Sequence, residues 1–166
     1  MDAVRNVIAG ESREPASGDW MDLVDPSTEK VYARAARSGG EDVDQAVAAA
    51  AEAARAWRRT TPAERQRLLL ELSDLMTEVR EALAEAEVRA TGKPRGTALS
   101  VDVDGAVDAV RYFAGAARLL EGLGAAEYAE GHTSFVRREP IGVVAQVTPW
   151  QYPLMMGRAS AATRDA

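Results

Sequence analysis

The stretch VTPWQYPLMM, residues 147–156, continues an apolar run, IGVVAQV, at residues 141–147. A short and nearly continuous apolar run predicts a buried β-strand, typical of a parallel sheet. The segment PWQYP contains two prolines and predicts a turn, which taken alone is more often structural than functional. Because open α/β sheets bind ligands beyond the carboxyl ends of their strands, this turn is also a candidate binding site.

Two capping signals predict helices upstream of that turn. SGGE at Ser38 to Glu41 fits a capping box, and helical periodicity then continues to Trp57. TPAE repeats the signal at Thr61 to Glu64, with a proline in the first helical position. The second helix is predicted to run from Pro62 to about Ala90, ending at TGKP, residues 91–94. Its apolar residues form one predicted stripe: Leu68, Leu72, Leu75, Met76, Val79 and Leu83.

The other segments are less regular. A third helix is predicted over about Leu99 to Leu120, and GLGAAEYAEGHTS, residues 122–134, is predicted to be a loop. Residues 4–36 alternate strand and turn signals and predict a small antiparallel hairpin or meander. We therefore expect an N-terminal β element over residues 1–37, a helical part with one strand over residues 38–156, and a distinct tail over residues 157–166.

Composition excludes several classes of function. The net charge of −6 and the pI near 4.9 argue against a nucleic-acid partner, which requires clustered basic surface. The chain has no cysteine, so disulfides, thiolate metal sites and cysteine nucleophiles are absent from these residues. His132 is the only histidine, and no metal site is expected. Without a signal peptide or a long apolar run, we expect a cytoplasmic protein that does not interact with membranes.

Four stretches of the sequence form a recognisable series: residues 24–76, TGKP, VRYFAGAARLL at residues 110–120, and RREPIGVVAQVTPWQYPLMM at residues 137–156. In their order and spacing, they resemble the N-terminal third of the NAD(P)-dependent aldehyde dehydrogenase superfamily. EGHTSFVRREPIGVV, residues 130–144, is most similar to the aminobutyraldehyde or betaine-aldehyde type. The resemblance implies an α/β fold: the first part of a Rossmann-type cofactor domain, helix-rich, with an N-terminal β-hairpin and an incomplete sheet.

The resemblance also implies roles for individual residues. It places four residues at the NAD or NADP site (Val147, Thr148, Pro149 and Trp150) and two in the aldehyde channel (Tyr152 and Met156). Gln151 stands where the family usually has an asparagine that stabilises the oxyanion of the tetrahedral intermediate. Glutamine offers the same N–H donor one methylene further from the backbone, and such a donor acts only within a narrow distance of the developing charge.

The remaining family chemistry requires a cysteine nucleophile, a glutamate base and a lysine with a glycine-rich turn, all expected beyond Met156. We therefore expect a truncated or frameshifted enzyme, inactive as this chain, whose parent oxidises a small aldehyde to a carboxylic acid and forms a homo-oligomer. Two alternatives are open. One is a non-catalytic helical and β module that mediates protein association. The other is a standalone nucleotide binder, for which no G-x-G-x-x-G or Walker motif is present.

Overall fold

The N-terminal β element contains five strands in the computed structural model, which describes residues 2–119 and 124–157. The strands are β1 (Asp2–Val4), β2 (Asn6–Ile8), β3 (Glu11–Arg13), β4 (Trp20–Asp25) and β5 (Lys30–Ala36). β4 and β5 form the expected antiparallel hairpin, and β2 pairs with β3 in a second one. β1 lies parallel to β5, so the three-stranded sheet has the order β1-β5-β4 and is mixed rather than wholly antiparallel.

The first helix, α1 (Gly40–Trp57), is capped differently from the prediction. Gly39 is the N-cap residue, and its N–H donates to Asp42 Oδ2 at 2.9 Å. The predicted partners Ser38 and Glu41 do not form the box. Ser38 instead donates its hydroxyl to Asn6 Oδ1 at 2.7 Å. The cap lies one residue later because Asp42 also accepts hydrogen bonds from the β element.

The predicted second helix is two helices, α2 (Pro62–Glu78) and α3 (Arg80–Thr91). Its start is confirmed, because the Thr61 hydroxyl accepts the Glu64 N–H at 3.2 Å and Pro62 occupies the first turn. The chain bends at Val79, whose φ of −101° and ψ of 17° depart from helical values. The bend lets α2 pack against the helix Asp104–Ala116, whereas α3 packs against the segment Ala98–Val103. The predicted apolar stripe is therefore wrong in part: Leu69 is buried, whereas Leu72, Leu75 and Val79 are exposed.

The third helical region begins earlier and ends earlier than expected. A short helix α4 (Arg95–Thr97) leads into a π-helix (Ala98–Val103), and α5 (Asp104–Ala116) follows without a break. A π-helical turn is rare and often occurs at functional sites. α3 packs against the π-helix, and α2 packs against α5.

Two predictions for the C-terminal part are wrong. The predicted loop contains a hairpin of β6 (Ala126–Ala129) and β7 (His132–Ser134), with Gly131 at a φ of 71° in its turn. The predicted buried strand at residues 141–147 has no strand partner among the described residues. Ile141 and Val147 are 91% and 97% exposed. An apolar run becomes a buried strand only where neighbouring strands cover it, and the described part of the chain supplies none.

Many of the buried side chains in the described ranges pack in two small clusters. One joins α2 to α5 through Leu69, Val110 and Ala114. The other joins α3 to the π-helix through Ala84, Ala98 and Val103, and Leu154 packs against it. None of the helices in the described ranges is both long and apolar enough to cross a membrane. The described residues thus form an α/β fold with small, incomplete sheets. The expected tail lies outside the described residues, apart from Gly157.

Candidate functional site

The C-terminal end of α3 is fixed by the local sequence TGKP. Gly92 ends the helix in the left-handed conformation, with a φ of 74°, and its N–H donates to Val88 O at 2.8 Å. A Cβ at this position would lie 3.1 Å from Pro26 Cγ, in the turn between β4 and β5. Glycine is therefore favoured both by the backbone angle and by the close approach of that turn. This ending directs the next residue, Lys93, toward the π-helix.

Lys93 lies between two buried carboxylates. Its Nζ is 2.8 Å from Asp102 Oδ2 and 3.2 Å from Glu87 Oε1. The side chains of Asp102, Glu87 and Lys93 are 0%, 5% and 18% exposed. Burial lowers the pKa of the ammonium group, but the hydrogen bonds and charges of the two carboxylates outweigh it and raise that pKa above its usual value. Lys93 is thus held in its charged form.

The turn at residues 147–152 rests on this end of α3. The Trp150 indole N–H donates to Ala90 O at 3.1 Å, and the Lys93 ammonium lies 4.3 Å from the centre of the Tyr152 ring. Residues 153–157 form a short helical turn, and within it Leu154 packs against the α3 and π-helix cluster. Gln146 Nε2 donates to Met156 O at 2.8 Å, which closes the segment on itself. The turn is therefore held by an indole, an aromatic ring and an apolar side chain.

The structure brings only some of the predicted site residues together. Trp150 and Tyr152 share contacts with α3, yet they are 64% and 44% exposed. Val147, Pro149, Gln151 and Met156 are exposed to solvent, and Thr148 is half-buried. These residues form an open, solvent-exposed surface, and Gln151 is among its exposed members.

The sequence analysis did not identify two charged residues that lie beneath the turn at Trp150, Glu87 and Asp102. Both carboxylates are buried against Lys93. No pattern of neighbouring residues in the sequence marks these two carboxylates as buried. Within the described residues, no group of three or more histidine, cysteine, aspartate or glutamate side chains is arranged to hold a metal ion.

Comparison with known proteins gives the same result for sequence and for structure. The family model described as the aldehyde dehydrogenase family matches residues 13–163. An aldehyde dehydrogenase of Deinococcus radiodurans is 42% identical over 152 residues, which are 92% of this chain and 29% of that protein. A long-chain-aldehyde dehydrogenase of an Acinetobacter species is 38% identical over 155 residues, 93% of this chain and 31% of that protein.

A solved aldehyde dehydrogenase from Bacillus cereus, a complex with NAD+, superposes with a TM-score of 0.93 at 34% identity. The superposition covers 98% of this chain and 33% of that one. The chain thus spans about a third of the length of the proteins it matches, and the matched third includes the turn at Trp150. On the strength of this agreement, the chain belongs to the aldehyde dehydrogenase family.

Proposed function

We propose that this chain is the N-terminal part of an NAD(P)-dependent aldehyde dehydrogenase and contributes one wall of its cofactor and substrate site. The proposal is carried by the turn at residues 147–152, which rests on α3 within the family match. Hydride transfer from an aldehyde to a nicotinamide cofactor requires both reactants to be held in contact. An exposed indole and an exposed phenol ring on a fixed turn supply part of such a surface.

Roles follow for the individual residues. Val147, Thr148, Pro149 and Trp150 line the cofactor side, and Tyr152 and Met156 line the aldehyde channel. Gln151 presents a side-chain N–H donor toward the developing oxyanion. The NAD+ bound in the Bacillus cereus relative supports a nicotinamide cofactor. Whether this cofactor is NAD or NADP is determined by residues of the complete protein. For the complete protein, the proposal is a homo-oligomer. Its substrate is a small aldehyde, and its location is the cytoplasm.

Catalysis by the 166 residues alone is not part of this proposal, because they contain no cysteine to attack the aldehyde. The test is a chimaera in which the matched residues replace the corresponding part of the Deinococcus radiodurans relative. Purified chimaera should reduce NAD+ in the presence of an aldehyde, and the 166-residue chain should not. A folded but inactive chimaera, or NADH production by the chain alone, would contradict the proposal.

Gln151 offers a sharper test in the same chimaera. Because an oxyanion donor must lie within hydrogen-bond distance of the developing charge, a Gln151→Asn variant should raise kcat, and a Gln151→Ala variant should lower it by roughly 10²–10³ when the donor is used. The substrate KM should change little, since the contact strengthens only in the transition state. Equal kcat values for all three forms would show that position 151 does not contact the oxyanion.

The alternative of a non-catalytic association module is not favoured by the family match. It is supported only by the exposed apolar residues at 141–147, which would favour association in isolation. A discrete oligomer of the chain together with an inactive chimaera would favour it.

A further inference from the structure

At the end of α3, the buried negative charges outnumber the positive charge that pairs with them. Two carboxylates, Asp102 and Glu87, face one ammonium group, and Asp102 Oδ1 has no hydrogen-bond partner among the described residues. Burying ionic groups carries a desolvation cost that can exceed their mutual attraction, so such a group is weak evidence for a stabilising role. Here the ammonium is fixed from two sides, so the flexible lysine stem has a single orientation. The pKa of Lys93 is raised, which keeps that orientation charged.

The fixed ammonium points at a residue of the candidate site. Lys93 Nζ lies 4.3 Å from the centre of the Tyr152 ring, well within the range of about 6 Å over which a cation is attracted to an aromatic face. One helical turn away, Ala90 O accepts the indole N–H of Trp150 at 3.1 Å. Both contacts join the same end of α3 to the same turn. Movement of the Tyr152 ring would therefore also change the position of Trp150.

We propose that Lys93 is a positioning residue: held by Asp102 and Glu87, its ammonium fixes the Tyr152 ring and thereby the turn of Trp150 and Gln151. This inference rests on the proposed function, because it assigns to Lys93 the orientation of the wall that would face cofactor and aldehyde. Tyr152 remains partly exposed, so a fixed ring is available to a ligand. The contact itself does not depend on catalysis and is open to measurement in the 166-residue chain.

The lysine composition makes the contact directly observable. The chain has two lysines, Lys30 and Lys93, so labelling with ¹³C-lysine gives two sets of side-chain NMR signals. Protons above the face of an aromatic ring are shifted upfield. The Lys93 CεH₂ signal should be shifted upfield in the wild type and in Tyr152→Phe, which keeps the ring, and should lose that shift in Tyr152→Leu. The Lys30 signal is the internal control in all three.

The positioning effect needs a second readout. The chain has three tryptophans, so the indole N–H of Trp150 is one of three such signals and is assigned with a Trp150→Phe variant. Loss of a cation–aromatic contact should accelerate its hydrogen exchange by a factor between about 2 and about 30 in Tyr152→Leu. Tyr152→Phe should exchange as the wild type does. Lys93→Met should resemble Tyr152→Leu in this readout. Tyr152→Leu leaves the buried charges intact and decides the question if Lys93→Met does not fold.

Two results would overturn the inference. One is a Lys93 CεH₂ signal without an upfield shift in the wild type. The other is equal Trp150 indole exchange in Tyr152→Leu and Tyr152→Phe. Failure of the proposed function looks different, because it would appear as an inactive chimaera with the NMR contact intact. An active chimaera without the contact would refute the role of Lys93 alone.

Discussion

Replacing Lys93 by methionine tests the energetics of the buried charges. At 2.8 Å from Asp102 and 3.2 Å from Glu87, and with an effective dielectric constant of about 20, the ammonium is attracted by about 6 and about 5 kcal/mol. Removing three ions from water costs several kcal/mol for each, so the intact group contributes little net stability. Lys93→Met removes the attraction but leaves both carboxylates buried. The expected loss is about 3–5 kcal/mol in the free energy of unfolding.

Urea denaturation followed by circular dichroism measures this loss through the midpoint and the slope of the transition. Arg67→Met is the matched control, because Arg67 and Glu71 form an ion pair of the same type with both side chains exposed. Removing an exposed pair should cost less than about 1 kcal/mol. A third variant, in which Lys93, Asp102 and Glu87 are all replaced by apolar residues, should recover most of the loss.

The reasoning would be refuted by a Lys93→Met variant whose free energy of unfolding falls no further than that of Arg67→Met. That result would mean that water reaches Asp102 and Glu87 and solvates them once the ammonium is gone. A triple variant less stable than Lys93→Met would refute a different step, because it would show that the cost does not arise from unpaired buried charge.

Three further predictions concern the fold. Leu69→Ala should lower the free energy of unfolding by about 2–5 kcal/mol because Leu69 is buried between α2 and α5, whereas Leu75→Ala at an exposed position should cost far less; urea denaturation of both compares them. Thr61→Ala should cost about 1 kcal/mol by removing the α2 cap, and Thr61→Asp should not. Hydrogen bonds from the Gly39 and Ala16 N–H groups, the first being the larger effect, lower the pKa of Asp42, although burial opposes them. A carboxyl group with a lowered pKa in the folded state stabilises the folded protein above about pH 4. This stabilisation is lost as the pH falls through the pKa of the folded state. Asp42→Asn should therefore flatten the fall in melting temperature below about pH 4.

The parts of the fold that the sequence predicted are those set by neighbouring residues. The α2 start depends on Thr61 and Pro62, and the α3 end depends on Gly92, whose left-handed conformation is local. The β4–β5 hairpin follows in the same way from the turn after Asp25, whose carboxylate accepts the Ser27 N–H at 2.7 Å. Such signals need no knowledge of tertiary structure.

The errors arise where distant segments decide the outcome. Asp42 rather than Glu41 completes the α1 cap because it also accepts hydrogen bonds from Asn6 and Ala16, which are 36 and 26 residues away. The bend at Val79 arises because α2 and α3 pack on different partners. Asp102 is buried by the combined placement of α3 and the π-helix. None of these contacts has a signature in a window of neighbouring residues.

The candidate site contains residues positioned by local sequence and residues whose surroundings depend on distant segments. Trp150 and Tyr152 rest on the end of α3, which TGKP fixes locally, and these two residues have defined contacts. Val147 ends the run that predicts a buried strand, Gln151 lies in the turn after it, and both are exposed. The matched relatives are about three times as long as this chain, so they have further chain with which to cover such a segment. This chain therefore fixes Trp150 and Tyr152 against its own α3, and it leaves Val147 and Gln151 exposed.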